Sequence, residues 1–204
     1  MLTPLTQGTI VGSLVIAAVL GRRFYRRQAE GGKGGRISLP KIAWLVYAIY
    51  AWFLLCPLLA LDPGVPRGVR LVLGAFAVSM WLRGAIEMYL LYKVHRWRPP
   101  YGIAHDAFCL ALIGGLTAWS WDEVTLEGSA GRCWMFVAVI AASLVVEILY
   151  AALFFQAVHG KTTGQEGIWF ADEGARFRRI NRITATCNAV LFSATVVFLI
   201  STLR

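Results

Sequence analysis

Residues 69–93 read VRLVLGAFAVSMWLRGAIEMYLLYK, a run long and apolar enough to cross a lipid bilayer as one helix. Two charged residues, Arg83 and Glu87, lie well inside that run. They are four residues apart, so both side chains lie on one face of a helix. Because a charge in hydrocarbon is costly, this face is expected to contact protein, water or a partner charge rather than lipid.

The composition of the whole chain is that of a polytopic membrane protein. Of its 204 residues, 58% are hydrophobic and only 15% are charged, and the mean hydropathy is +0.62. A soluble domain is about half apolar and about one quarter charged. The net charge of +9 comes from Lys and Arg in the short segments between apolar runs, where membrane topology places them. No recognition motif accompanies this charge, so nucleic acid is not an expected partner.

Six apolar runs predict an all-α fold, a bundle of six transmembrane helices in contact with the lipid bilayer. The first run has its basic residues after it rather than before it, so it is expected to stay as an uncleaved span. We divide the chain into a detached first transmembrane helix (1–21), a basic, glycine-rich cytoplasmic linker (22–41) and a five-helix transmembrane core (42–204). The predicted spans of the core are 42–61, 69–93, 103–119, 133–158 and 183–203.

The distribution of Lys and Arg predicts the orientation of the bundle. The segments predicted to be cytoplasmic hold fifteen of the 20 Lys and Arg residues, and the segments on the other side hold four. This asymmetry follows the positive-inside rule and places both termini on the non-cytoplasmic side. The predicted location is the inner (plasma) membrane of a bacterium.

Several ionisable or amide side chains lie inside the predicted spans of the core. A helix rises about 1.5 Å per residue, so the depth of each side chain follows from its distance along the chain to the inner edge of its span. On that basis Glu147 and Arg83 reach similar depths, and the others lie nearer the cytoplasmic face. The predicted polar ladder, running from the midplane to that face, consists of Arg83, Glu87, His105, Asp106, Glu147 and Asn188.

Buried charges of this kind are typical of a proton or ion path, or of the floor of a substrate cavity. The alternative is a neutralised cluster that fixes how the helices pack. We therefore predict, as a first function, a small transporter or an ion- or proton-conducting protein that uses this ladder for coupling or gating.

A non-catalytic subunit of a larger membrane complex is the second predicted function. Gly8 and Gly12 form a G-x-x-x-G pair, which allows another helix to approach closely. Helix 1 and residues 161–182 are the expected contacts with membrane protein partners. The chain has no recognisable catalytic motif, so no catalytic residue is assigned.

A membrane enzyme at the cytoplasmic interface is the third possibility. Arg96 and Arg98 suit the phosphate of a lipid head group, and His105 or Asp106 would then act as a base.

No cofactor and no metal site are predicted. A haem held by His105 and His159 is a minor alternative, because both residues lie at the inner ends of antiparallel spans. A carboxylate-rich metal site formed by Glu87, His105, Asp106 and Glu147 is disfavoured by the fixed cation of Arg83. The four cysteines form no C-x-x-C and are expected to be small hydrophobic residues in helices.

Overall fold

The computed structural model describes residues 2–29, 37–94, 99–159 and 170–203. Within these ranges the chain is helical and has six helices long and apolar enough to cross a membrane. The predicted all-α fold with six spans is thereby confirmed, and the chain is an integral membrane protein. The helices are α1 Pro4–Ala29, α2 Leu39–Leu61, α3 Arg67–Tyr89, α4 Pro99–Trp119, α5 Gly128–Ala157 and α6 Arg178–Leu203.

The second helix begins three residues before its predicted start. The side chain of Ser38 accepts a hydrogen bond from the backbone nitrogen of Lys41 at 3.4 Å, and Pro40 lies in the first turn. A serine cap followed by proline is a favoured helix start, because both satisfy or remove unpaired amide groups. Lys41 therefore belongs to α2, whereas the sequence analysis assigned it to the linker 22–41.

Helix α1 also extends into the predicted linker, since it continues to Ala29. The glycine-rich remainder, residues 30–36, lies outside the described residues.

Helix α2 contains a π-helical turn at Ala51–Leu55, shortly before Pro57. Proline has no amide hydrogen and its ring crowds the preceding turn, so a wider turn accommodates it. The turn directs Trp52 into the bundle, where Nε1 donates a hydrogen bond to Oγ of Ser143 on α5 at 2.8 Å. A local irregularity thus fixes α2 against α5.

The main apolar core lies between α2, α3 and α5, with residues of α4 and α6 completing it. The Trp52 ring packs edge to face against Trp44 and Phe76, with centroid distances of 5.6 and 6.0 Å. On the α6 side, Phe136 stacks on Phe198 at 4.4 Å. Such aromatic pairs contribute beyond their buried area and hold the helices in one register.

Alternate connections between helices lie at opposite ends of the bundle. At the end that holds Asp62, the backbone nitrogen of Gly68 donates to Glu123 at 2.8 Å. A Cβ at Gly68 would lie 2.7 Å from Cβ of Ser120, so this close approach requires glycine. We call this the outer end, following the predicted orientation; which end faces the cytoplasm stays a prediction.

At the opposite, inner end, the segment before α6 covers the start of α2. The backbone nitrogen of Ser38 donates to the carbonyl of Ala171 at 2.9 Å, and that of Leu39 donates to Oε1 of Glu173 at 2.7 Å. These bonds satisfy amide groups that a helix start leaves unpaired.

Helix α1 is anchored at the outer end and is otherwise largely uncovered. Leu2, Thr6 and Ile10 are buried, and both the backbone nitrogen and the hydroxyl of Thr3 donate to Asp62, at 2.9 and 3.0 Å. Only 11% of the apolar window of α1 is buried within the bundle. The helix is therefore held mainly by its N-terminal turns.

The structure places the predicted glycine pair of α1 on its exposed face. A Cβ at Gly8 or at Gly12 would meet no described atom within 4 Å. The side of α1 that approaches α2 instead includes Gly21, where a Cβ would lie 3.4 Å from Val46. A role for Gly8 and Gly12 in contacts outside this chain stays a prediction.

The anchor of α1 is expected to depend on pH through Asp62. Burial alone would raise the pKa of this carboxyl, but hydrogen bonds from Thr6, Thr3 and Gly64 outweigh it and lower the pKa from 3.8. A lowered pKa means that the anchor stabilises the folded state above pH 3.8 and is lost as the pH falls through the folded pKa.

Spin labels at the exposed positions Leu5 and Leu61 would report this change in nanodiscs by dipolar broadening in continuous-wave electron paramagnetic resonance, which suits the short distance between them. We expect a narrow distance distribution at neutral pH, which broadens on strong acidification, and a broad one at both pH values in Asp62→Asn. A narrow distribution in that variant would contradict the anchor.

Candidate functional site: paired charges inside the bundle

Lys41 and Glu147 form an ion pair between α2 and α5. Nζ of Lys41 lies 3.2 and 3.0 Å from the two carboxylate oxygens of Glu147. The Lys41 side chain is 2% exposed and that of Glu147 is 16% exposed. Nζ also lies 3.6 Å from the ring centroid of Tyr150, in a cation–π contact. A desolvated ammonium is thus compensated by a carboxylate and by an aromatic face.

The inner end of the bundle holds this pair in place. Oη of Tyr150 accepts a hydrogen bond from the backbone nitrogen of Ala171 at 3.1 Å. The Tyr150 ring stacks with Phe154, which stacks with Phe177. The segment before α6 therefore fixes the Tyr150 ring that contacts Nζ of Lys41.

Asn188 connects α6 to the same region. Its Nδ2 donates to the carbonyl of Pro40 at 2.8 Å, next to Lys41 in the first turn of α2. Its Oδ1 is buried and has no hydrogen-bond partner among the described residues. Asn188 thus lies beside the Lys41 pair.

Arg83 connects α3 to α4 through two acidic residues. Nε donates to Oε1 of Glu87 at 2.9 Å, and Nη1 donates to Oδ1 of Asp106. The Asp106 side chain is 0% exposed and that of Glu87 is 29% exposed. Oδ2 of Asp106 is buried without a hydrogen-bond partner in the described part of the chain.

His105 lies beside this group and contacts Ser79 on α3. Nε2 is 3.1 Å from Oγ and 3.2 Å from the carbonyl oxygen of Ser79, and Nδ1 is 3.7 Å from Oδ1 of Asp106. A carbonyl oxygen can only accept, so Nε2 carries a proton in that contact. This differs from a serine–histidine nucleophilic pair, in which Nε2 accepts the hydroxyl proton.

These groups form one charge cluster, which we define as Lys41, Arg83, Glu87, His105, Asp106 and Glu147. Its two halves interact at longer range, because Arg83 lies within electrostatic reach of Glu147. Among the described residues, no three His, Cys, Asp or Glu side chains come together as a group that could hold a metal ion.

The structure brings together most of the predicted ladder but changes its pairing. Arg83 contacts Glu87 and Asp106, and Asp106 in turn lies near His105, so these four residues form a chain of contacts between α3 and α4. Glu147 was predicted to lie at the depth of Arg83 in the ladder, whereas its direct ionic partner is Lys41. The difference follows from the earlier start of α2, which brings a cation into the bundle.

Lys41 is the residue of the site that sequence reasoning missed. The signal is the order Ser38, Leu39, Pro40, in which a serine cap precedes a proline of the first turn. Placing the start of α2 there puts Lys41 in a helical first turn, where a cation opposes the helix dipole and requires an acidic partner.

The remaining predicted residues lie away from the charge cluster or outside the described residues. The His159 ring packs edge to face against Phe155, at 6.1 Å between centroids, and a haem between His105 and His159 stays a minor prediction. Arg96, Arg98 and residues 161–169 of the predicted contact loop lie outside the described residues.

Comparison with known proteins gives no match: no family model fits this chain, and no curated protein or solved structure is significantly similar to it. The function is therefore inferred from the chemistry of the charge cluster.

A double-mutant cycle tests the ion pair between Lys41 and Glu147. Lys41→Met should destabilise the protein by about 3–5 kcal/mol, because Glu147 loses its cation and must either stay charged without a partner or take up a proton. Lys41→Met combined with Glu147→Gln should recover much of that loss, since neither charge remains. Unfolding by denaturing detergent measures the free energy of each variant.

Lys93→Met at an exposed lysine is the matched control and should change stability little. Additive effects of the two cluster substitutions would show that the residues do not interact.

Proposed function

We propose that this chain is a small membrane transport protein, and that the charge cluster is the site that couples or gates the movement of a proton or another ion. The cluster lies within the spans, where ionisable residues are costly to bury and commonly serve transport. The support comes from an unpaired buried oxygen of Asp106, from the graded exposure of the cluster and from its connection to four helices.

An unpaired buried oxygen carries the proposal. Oδ1 of Asp106 accepts a hydrogen bond from Arg83, whereas Oδ2 is buried and has no hydrogen-bond partner among the described residues. A buried acceptor without a partner is costly, so it favours the uptake of a proton or a small cation at that oxygen.

The side chains of the cluster differ in their exposure to the surroundings. Asp106 is fully buried, and we call it the floor of the cluster. His105 and Glu87 are 22% and 29% exposed, and we call them the rim. His105 is a suitable carrier of a proton between the rim and the floor, because its side chain is partly exposed and its Nδ1 lies 3.7 Å from Oδ1 of Asp106. The unpartnered Oδ2 of Asp106 offers an acceptor at the end of that route.

Arg83 contacts Asp106 directly, so protonation of Asp106 would change the contacts of its guanidinium. Protonation of Asp106 would remove the charge that holds the guanidinium, leaving Glu87 as its neighbouring acid on α3 and Glu147 at longer range. A change of partner between α3, α4 and α5 would couple proton binding to a rearrangement of helices.

Liposomes that contain the purified protein and a trapped pH-sensitive dye test this proposal. An imposed potential should drive proton flux through the wild type, and matched ion gradients would reveal a cation instead. Asp106→Asn keeps the shape of the side chain and removes its charge, so flux should fall to the level of empty liposomes.

Asp122→Asn, the same change at an exposed aspartate of the outer end, should leave flux unchanged. Circular dichroism and size-exclusion profiles establish that both variants fold. Undiminished flux in a folded Asp106→Asn, or no proton or cation flux in the wild type, would contradict the proposal.

A subunit of a membrane complex is the second candidate, favoured by the exposed face of α1. Gly8 and Gly12 leave a shallow surface there that no described residue fills. Small residues on an uncovered helix suit close packing against a helix of another protein.

A photoreactive amino acid at position 12 tests this candidate in native membranes. The subunit role predicts a cross-link to one protein that also co-purifies in equal amount under mild detergent. The same probe at the exposed Val197 of α6 is the control. Cross-links to lipid alone at position 12 would argue against a partner helix on α1.

A further inference from the structure

Helices α1 and α2 enclose a groove that the charge cluster does not use. Its volume is about 780 Å³. The wall from α1 includes Ile16 and Leu20, and the wall from α2 includes Leu45, Ile49 and Phe53. Such a surface suits hydrocarbon and excludes a polar solute.

The groove has the length of one membrane leaflet. Along α1 it runs from Ser13 to Arg23, which is about 15 Å at 1.5 Å per residue. The hydrocarbon core of a bilayer is about 30 Å thick, so one leaflet contributes about half of that. The groove therefore reaches from the inner end of the bundle to the middle of the membrane.

The inner mouth of the groove is basic. Arg23 belongs to its lining, and Arg22 and Arg26 are exposed on the same turns of α1. Helix α1 contains no Asp or Glu to neutralise them. Arginine recognises phosphate through two parallel hydrogen bonds, and basic residues beside a span attract anionic lipids.

We propose that this groove binds one acyl chain of an anionic phospholipid, whose phosphate lies at Arg23. The apolar walls bind the chain, and the arginine mouth selects the head group. The lipid would fill the space beside the inner half of α1, the part that the outer-end anchor at Asp62 leaves uncovered. This inference is independent of the transport proposal, since it involves no residue of the charge cluster.

Native mass spectrometry of the full chain, delipidated and then titrated with phosphatidylglycerol or phosphatidylcholine, tests the inference. We expect one retained phosphatidylglycerol per chain, in preference to phosphatidylcholine. Arg23→Gln should weaken phosphatidylglycerol binding by about fivefold and remove most of the preference. Arg67→Gln, at an exposed arginine of the outer end, is the matched control and should keep both.

Variants that fill the groove separate the chain site from the head-group site. Ile49→Trp and Ile16→Trp start from exposed side chains on opposite walls, and each should reduce retention of both lipids. Val197→Trp, at an exposed position of α6, should retain lipid as the wild type does.

Three results would overturn the inference. The first is equal retention of the two lipids by the wild type, and the second is an unchanged lipid preference in Arg23→Gln. The third is normal retention in both tryptophan variants of the groove. Since the two walls are substituted separately, a folding defect in one variant leaves the other as the test.

Discussion

A charge buried in a membrane protein must be neutralised by a neighbour, and this constraint shapes the inner half of the bundle. The ammonium of Lys41 is held by Glu147 and by the ring of Tyr150. The guanidinium of Arg83 is held by Glu87 and Asp106. These two groups of contacts connect α2 to α5 and α3 to α4.

The rest of the fold positions these contacts. The cap at Ser38 sets the start of α2 and hence the depth of Lys41, and the π-helical turn at Ala51–Leu55 directs Trp52 towards α5. The aromatic stack that begins at Tyr150 covers the ion pair from the inner end. Helix α1 contributes little to this core, which leaves it available for the proposed contacts with lipid or with a partner helix.

The sequence was sufficient to predict the six spans, because hydropathy and span length are local properties of the chain. It also predicted that Arg83 and Glu87 share a face, since their spacing of four residues is a helical repeat. The pairing of charges between helices could not be predicted, because no local sequence pattern indicates which helices are in contact. Glu147 shows this: its partner Lys41 is 106 residues away and lies in a turn whose composition resembles a linker.

The transport proposal and the packing alternative both require that the buried charges meet inside the bundle; they differ in whether the cluster also takes up an ion. The buried oxygen of Asp106, which has no hydrogen-bond partner among the described residues, favours uptake. Exchange of partners requires that Arg83 can lose one acid and keep another. Both Glu87 and Asp106 contact its guanidinium, so one can hold Arg83 when the other is protonated.

The most direct test of the central claim is infrared spectroscopy of the carboxyl groups in lipid bilayers at neutral pH, with Glu147 assigned by Glu147→Gln. Pairing with Lys41 predicts an ionised Glu147 carboxylate in the wild type, and its conversion to the protonated acid in Lys41→Met. A protonated Glu147 in the wild type, or a carboxylate band that Lys41→Met leaves unchanged, would contradict the account.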